Sequence, residues 1–132
     1  LNVPVLAAVI GEGMSGGSLG IGVTDRILML EHAIYSVISP EGCAAILWRS
    51  AEHKEKAPTA LKLTAEDLVT LGVCDEIVPE PVGGAHTDWD AAAGLLSKAL
   101  EKNLGKLAKL SETKLLEQRW AKYESIGSWR EE

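Results

Sequence analysis

Between Gly11 and Gly17 the sequence reads GEGMSGG, four glycines in seven residues around one serine. Three chemistries fit this stretch. Gly11-x-Gly13-x-x-Gly16 matches the dinucleotide-binding fingerprint, and Glu31 lies 20 residues beyond Gly11, where a ribose-binding acid is expected. Gly13-Met14-Ser15-Gly16-Gly17 matches G-x-S-x-G, the nucleophile elbow of serine hydrolases, with Ser15 as nucleophile. The third is an oxyanion hole made from backbone amides alone. Against all three stands a purely structural role, in which the glycines only let a helix pack close to a strand. Both short motifs are permissive, so pattern alone leaves the four readings open.

Other residues with chemical potential are better explained as structure. His32 sits alone in a turn, and His86 in a second glycine loop at Gly83-Gly84. Glu41 falls in the first turn of a helix, where an acid complements the helix dipole. Cys43 and Cys74 are isolated, without metal-ligand spacing, and read as reduced thiols buried as small hydrophobes.

The elements that must position the glycine stretch follow from the flanking pattern. Before it runs the apolar segment Val3–Ile10, which predicts a buried strand. After it comes Ser18-Leu19-Gly20-Ile21-Gly22-Val23, which predicts a tightly packed helix starting near Ser18. Strand, glycine turn and helix N-terminus together aim unpaired N–H groups at a negative charge. Glycine would supply positive φ in the turn and room for a ligand to approach the backbone.

Further along, Ile27–Leu30 predicts a short buried strand and Ile34–Ile38 a second one rich in β-branched residues. Ser39 and Pro40 fit the cap and first position of a helix through Trp48. Residues 51–60, interrupted by Pro58, are polar and predict surface helix or loop. Thr64 starts a short helix that Gly72 ends, and Val73–Val78 predicts a final strand. From Thr87 or Asp88 a long amphipathic helix is expected to about Leu110, with Leu96, Ala99 or Leu100, Leu104, Leu107 and Leu110 on its apolar face. Ser111 caps another, with Leu115, Leu116, Trp120 and Tyr123 inward and Gly127 as stop. This divides the chain into 1–86, the α/β part; 87–127, a helical hairpin for packing or subunit contact; and 128–132, a tail.

The 132 residues suit one domain, and 46% apolar content supplies a core that is aliphatic because Phe is absent. A formal charge of −6 argues against a nucleic-acid surface. No apolar run approaches the roughly 18 residues of a membrane span. The chain opens on Leu1 and enters a core strand almost at once. It is therefore expected to be the C-terminal portion of a longer subunit.

Four longer motifs are more specific than either short one. They are Val9-Ile10-Gly11-Glu12-Gly13-Met14-Ser15-Gly16-Gly17, Tyr35-Ser36-Val37-Ile38-Ser39-Pro40-Glu41-Gly42-Cys43-Ala44, Ile46-Leu47-Trp48, and Pro79-Glu80-Pro81-Val82-Gly83-Gly84-Ala85-His86. In this order, over most of residues 1–90, they closely resemble the alpha-subunit family of the acetyl-CoA carboxylase carboxyltransferases of bacteria and plastids. That family lies in the crotonase superfamily, whose oxyanion motif is a strand like Pro4-Val5-Leu6-Ala7-Ala8-Val9, then a glycine turn, then a helix. The chain departs from the family at Met14, where glycine is usual. The superfamily's hydratases carry a glutamate where Leu19 stands, so hydration is not implied.

The resemblance implies part of a crotonase-like ββα superhelix followed by helices. It implies transfer of a carboxyl group from carboxybiotin, borne on a biotin carboxyl carrier protein, to acetyl-CoA, forming malonyl-CoA for fatty acid synthesis. The ureido anion left on biotin can itself act as base, so no side chain is required in that role. The implied donors are the backbone N–H groups of Gly16 and Gly17, with Gly13, Met14 and Ser15 near the carboxybiotin and no metal in this chain. The implied partner is a carboxyltransferase beta subunit holding acetyl-CoA, in an assembly of two alpha and two beta subunits, cytoplasmic or in the plastid stroma. The alternatives are a non-catalytic fragment acting as an interaction module and, with less support, the serine hydrolase.

Overall fold

The computed structural model describes residues 1–48 and 61–127. The expected polar segment 51–60 and the tail 128–132 lie outside those residues. Two small parallel sheets carry the α/β part. The first holds β1 (Leu6–Val9), β3 (Arg26–Leu30) and β5 (Glu76–Val78) in the order β1-β3-β5. The second pairs β2 (Glu12–Met14) with β4 (Ile34–Ser36). Consecutive strands therefore alternate between sheets. Each strand pairs with the equivalent strand one turn later, Leu6 opposite Arg26 and Glu12 opposite Ile34. This is the ββα superhelix of the crotonase-like fold. The intervening helices are α1 (Ser15–Gly22), α2 (Pro40–Trp48) and α3 (Ala65–Thr70). Two longer helices follow, α4 (Trp89–Leu107) and α5 (Glu112–Ser125).

The core sits on β3, the central strand, where Leu28 and Met29 are fully buried. Leu68 of α3, Val78 of β5 and Ala99 of α4 pack around it. Burial of a side chain of this size stabilises by about 1.5–3 kcal/mol, which is why the unbroken apolar run at 27–30 is so clear in the sequence. Local capping worked as expected. Thr64 accepts from the Asp67 amide, Asp88 from Ala91 and Ser111 from Lys114, each occupying an otherwise unpaired first-turn N–H. Gly72 and Gly127 follow the helices they end at φ +74 and +95.

Two expectations need correction. The segment Val3–Ile10 is not a fully buried strand: only Leu6–Val9 is β, and Ile10 is 66% exposed. β1 is the edge of its sheet, so only one side of it is paired. Trp120 does not face inward; it is 69% exposed. Helix α5 turns its Arg119–Tyr123 side to the sheet, and Trp120, one residue further round the helix from Arg119, points elsewhere. Both long helices are tied to the α/β part through carboxylates. Buried Asn103 of α4 donates to Glu76 on β5 (2.9 Å), and α5 holds Asp25 and Asp75 through Arg119 and Lys122.

Candidate functional site

The strand β2 runs into α1 with no loop between them. Met14 is still extended, at φ −136 and ψ 158, and Ser15 turns the chain at φ +72. A left-handed backbone at a residue bearing a Cβ costs roughly 1–2 kcal/mol. None of Gly11, Gly13, Gly16 or Gly17 takes a positive φ, so the turn uses its serine where glycine was expected. The helix starts at Ser15, three residues before the expected Ser18, because β2 occupies part of what reads as a turn. Gly16 and Gly17 thus stand in the first helical turn, where N–H groups have no acceptor within the helix. Met14 is the N-cap and offers no side-chain acceptor. The hydroxyl of Ser18 donates back to the Met14 carbonyl (2.8 Å). No acidic residue lies in that turn, so the positive end of the helix dipole is not offset there.

The glycines fall into two groups. A Cβ at Gly13 would lie 2.8 Å from the Tyr35 ring, and one at Gly22 would overlap the Tyr35 hydroxyl. These two let α1 and β2 close on Tyr35, and here the structural explanation holds. A Cβ at Gly11, Gly16, Gly17 or Gly20 would meet nothing within 4 Å. Gly16 and Gly17 are exposed. Packing within the described residues therefore does not account for glycine at these positions.

The remaining candidates separate cleanly. The GxGxxG reading fails because β2 is interposed between β1 and α1, so Gly11 and Gly13 do not form one strand-to-helix turn. Glu31 is occupied in accepting from the Glu80 amide (3.2 Å). Ser15 has the sharp backbone of an elbow, but among the described residues no histidine or carboxylate hydrogen-bonds to its hydroxyl. His32 and His86 are exposed loop residues and Glu41 is exposed in the first turn of α2. Cys43 and Cys74 are buried, unpaired thiols, and burial pushes the Cys74 thiol up. Among the described residues no group of three or more His, Cys, Asp or Glu could hold a metal ion.

Three features escaped the sequence reading. Tyr35 donates to the Ser18 carbonyl inside α1 (2.9 Å), and Tyr123 reaches from α5 to the Gly22 carbonyl (2.7 Å). Helical spacing already placed Tyr123 inward, but the acceptors of both phenols are backbone carbonyls, which carry no sequence signature. Glu80 accepts from the amides of His32 (2.9 Å) and Ala85 (2.7 Å), which together hold its carboxyl below the usual range and join the ends of β3 and β5. Finally, a cleft of about 300 Å³ lies between β1, β2 and α1, with Ile10, Ile21 and Tyr35 among its walls.

The comparisons with known proteins give the family and the fold. The family described as acetyl co-enzyme A carboxylase carboxyltransferase-like matches residues 1–127. The chain belongs to that family. It is 54% identical over 132 residues to the acetyl-coenzyme A carboxylase carboxyl transferase subunit alpha of Chlorobium phaeovibrioides, covering all of this chain and 39% of the relative. It is 50% identical over 131 residues to the same subunit of Prochlorococcus marinus strain MIT 9301, covering 99% of this chain and 39% of the relative. The chain thus spans about two fifths of the length of these relatives. In fold it is similar to a chain of a Pseudomonas malonate decarboxylase hetero-tetramer in complex with coenzyme A. There the TM-score is 0.55 at 22% identity, over 77% of this chain and 42% of that one. The family suggested by the four motifs is borne out, and with it the crotonase-like α/β class. Among the described residues no helix of this carboxyltransferase-family chain is long and apolar enough to cross a membrane.

Proposed function

We propose that this chain supplies one set of backbone donors to a biotin-dependent carboxyltransferase, with Gly16 and Gly17 facing the ureido oxygen of carboxybiotin. The observation that carries the reading is the open first turn of α1: two adjacent glycine amides, exposed, uncapped, and with space where their side chains would be. Such donors fit a small planar oxygen acceptor that gains negative charge. Carboxybiotin, when bound, supplies the carboxyl group for acetyl-CoA and the base that deprotonates its methyl. The chain's own part is to bind and orient the ureido oxygen and to lower the energy of charge developing there. One such donor contributes about 3 kcal/mol, on the order of a hundredfold in rate. Ser15 sets the turn, and Met14 and Gly13 form its approach. The carrier protein and a beta subunit holding acetyl-CoA complete the site.

The test is biotin-dependent decarboxylation of malonyl-CoA by the complete subunit with its beta partner. Gly16→Val is expected to lose activity on the order of a hundredfold with an unchanged melting temperature, because the new side chain meets only the open face. Ser15→Ala is expected to keep most activity. If Ser15→Ala abolished turnover and a serine-directed inhibitor labelled the chain, the hydrolase reading would replace this one.

A second reading is favoured by the apolar side chains α1 and its flanks leave in solvent, Ile10 at 66%, Ile21 at 74% and Val23 at 60% exposure. They suit contact with more of the subunit or with a partner, in keeping with an interaction module. Full activity of Gly16→Val would favour that reading.

A further inference from the structure

Helix α1 has little reason of its own to hold one orientation. Four of its eight residues are glycine, each costing about 1 kcal/mol against alanine in a helix. Gly22 is its one buried residue. The cleft of about 300 Å³ opens on one side of it, and an apolar one of about 410 Å³, between Leu19, Val23, Tyr35 and Tyr123, opens on another. Burial does not fix such a helix; its carbonyls do. The Ser18 carbonyl, in mid-helix, accepts the Tyr35 hydroxyl at 2.9 Å. The Gly22 carbonyl, one of the last-turn groups without an acceptor role inside the helix, lies 2.7 Å from the Tyr123 hydroxyl. That hydroxyl also accepts the Thr24 amide at 2.8 Å, closing the exit of the helix.

We propose that Tyr35 and Tyr123 are positioning residues that aim the Gly16 and Gly17 amides by holding the carbonyls of α1. Each phenol is itself fixed. The Tyr35 ring is wedged against Gly13 and its hydroxyl against Gly22. Tyr123 stands one turn along α5 from Arg119, whose guanidinium forks onto Asp25 at 2.8 and 2.7 Å. Burial, with Tyr123 nearby, pushes the Tyr35 phenol up, so it remains a donor at neutral pH. A donor group aimed by a loosely held helix loses its advantage, since small misplacements cost rate without costing the fold. This assigns the C-terminal helix a part in the chemistry that contains no reacting group: α5 orients the amide helix from behind.

The inference rests on the amide reading above, and the experiment separates the two. Tyr35→Phe and Tyr123→Phe, each alone in the complete enzyme, remove one hydroxyl and keep the ring. Each is expected to lower kcat on the order of tenfold, with KM for malonyl-CoA unchanged. Amide hydrogen exchange over residues 15–22 is expected to quicken, with residues 26–30 unchanged. Gly16→Val is run beside them. If Gly16→Val keeps activity, the amide reading fails. If Gly16→Val loses activity while both phenylalanine variants keep kcat within twofold, only the positioning inference fails. Should one variant not fold, the other decides. Should neither fold, the hydroxyls hold the fold rather than aim the amides, and the proposal is overturned.

Discussion

The two ends of α1 are built on opposite terms. At its N-terminus Ser15 is turned to φ +72, the cap has no side-chain acceptor, and Gly16 and Gly17 face open space. At its C-terminus Gly22 is buried with no room for a methyl, Tyr123 bonds both sides of the exit, and Thr24 and Asp25 are buried. Glycine is used at both ends for unrelated reasons: absence of a neighbour at one, excess of neighbours at the other. A helix pinned at its tail and bare at its head can present first-turn amides in a fixed direction to something from outside. The same contrast tells which substitutions should harm the fold and which only the function.

The largest effect on the fold is expected where the closed end is tied to the rest of the molecule. The Asp25 carboxylate accepts the Val5 amide at 2.7 Å and two Arg119 nitrogens at 2.8 and 2.7 Å, with its side chain only 3% exposed. Arg119 in turn donates to the carbonyls of Leu1 and Val3. Asp25→Ala leaves a mostly buried guanidinium and a strand amide without their acceptor, so a loss of about 3–5 kcal/mol is expected in denaturant unfolding of the complete subunit. Arg119→Met added to Asp25→Ala should recover part of that loss, because it removes the stranded charge. A loss below about 1 kcal/mol for Asp25→Ala would show that the closed end is not locked by this pair.

A smaller effect should separate two glycines of the same helix. Gly22→Ala forces the Tyr35 ring to move and strains its bond to Ser18, with a cost of about 1–3 kcal/mol. Gly20→Ala, two residues earlier, meets nothing within 4 Å and should stabilise by about 0.5–1 kcal/mol through helix propensity alone. Thermal melts of the two variants should therefore move in opposite directions. Equal shifts would mean that the contrast between packed and open glycines is not real.

Much of this was legible in the sequence because it is local. The run Ile27–Leu30 is apolar at every position and lies on the buried central strand. Ser39, Thr64, Asp88 and Ser111 cap helices by bonding amides three residues on, as at Ser39 with Gly42 (3.2 Å). Features that depend on distant partners were hidden. β2 is three residues long and is a strand only because Ile34–Ser36 lies beside it. The positive φ at Ser15 arises from joining that strand directly to a helix, and nothing in GMSGG marks the serine over its neighbouring glycines. Leu104 is at a position helical periodicity assigns to the apolar face, yet it is 47% exposed, because α4 covers the sheet with Ala99, Asn103 and Leu107. The proposed donors, Gly16 and Gly17, come from the family resemblance carried by the motif at 9–17. The phenols behind them bond to backbone carbonyls, which carry no sequence signature.

The smallest predicted effect contrasts the Tyr123 and Glu76 bonds as pH falls. The Tyr123 bonds to the end of α1 involve no carboxylate. The α4 bond to β5 rests on the Glu76 carboxylate, which accepts Asn103 (2.9 Å) and Lys102 (2.9 Å); those two bonds hold its carboxyl below the usual range. A carboxyl whose folded pKa is lowered stabilises the fold above its unfolded value, near 4.5, and loses that contribution as pH falls through the lower folded value. Glu76 is about one quarter exposed and its Lys102 partner about one half, so the screened contribution is expected to stay below about 1 kcal/mol. Asn103 keeps the Ala99 carbonyl (2.8 Å) when Glu76 is changed, which limits the loss further. The melting temperature of Glu76→Gln should therefore sit slightly below the parent at pH 7, and the gap should close below pH 4.5. For Tyr123→Phe the gap should persist through the same range. A Glu76→Gln gap that widened in acid would reverse the sign of the argument and show that the carboxyl is held protonated in the folded chain.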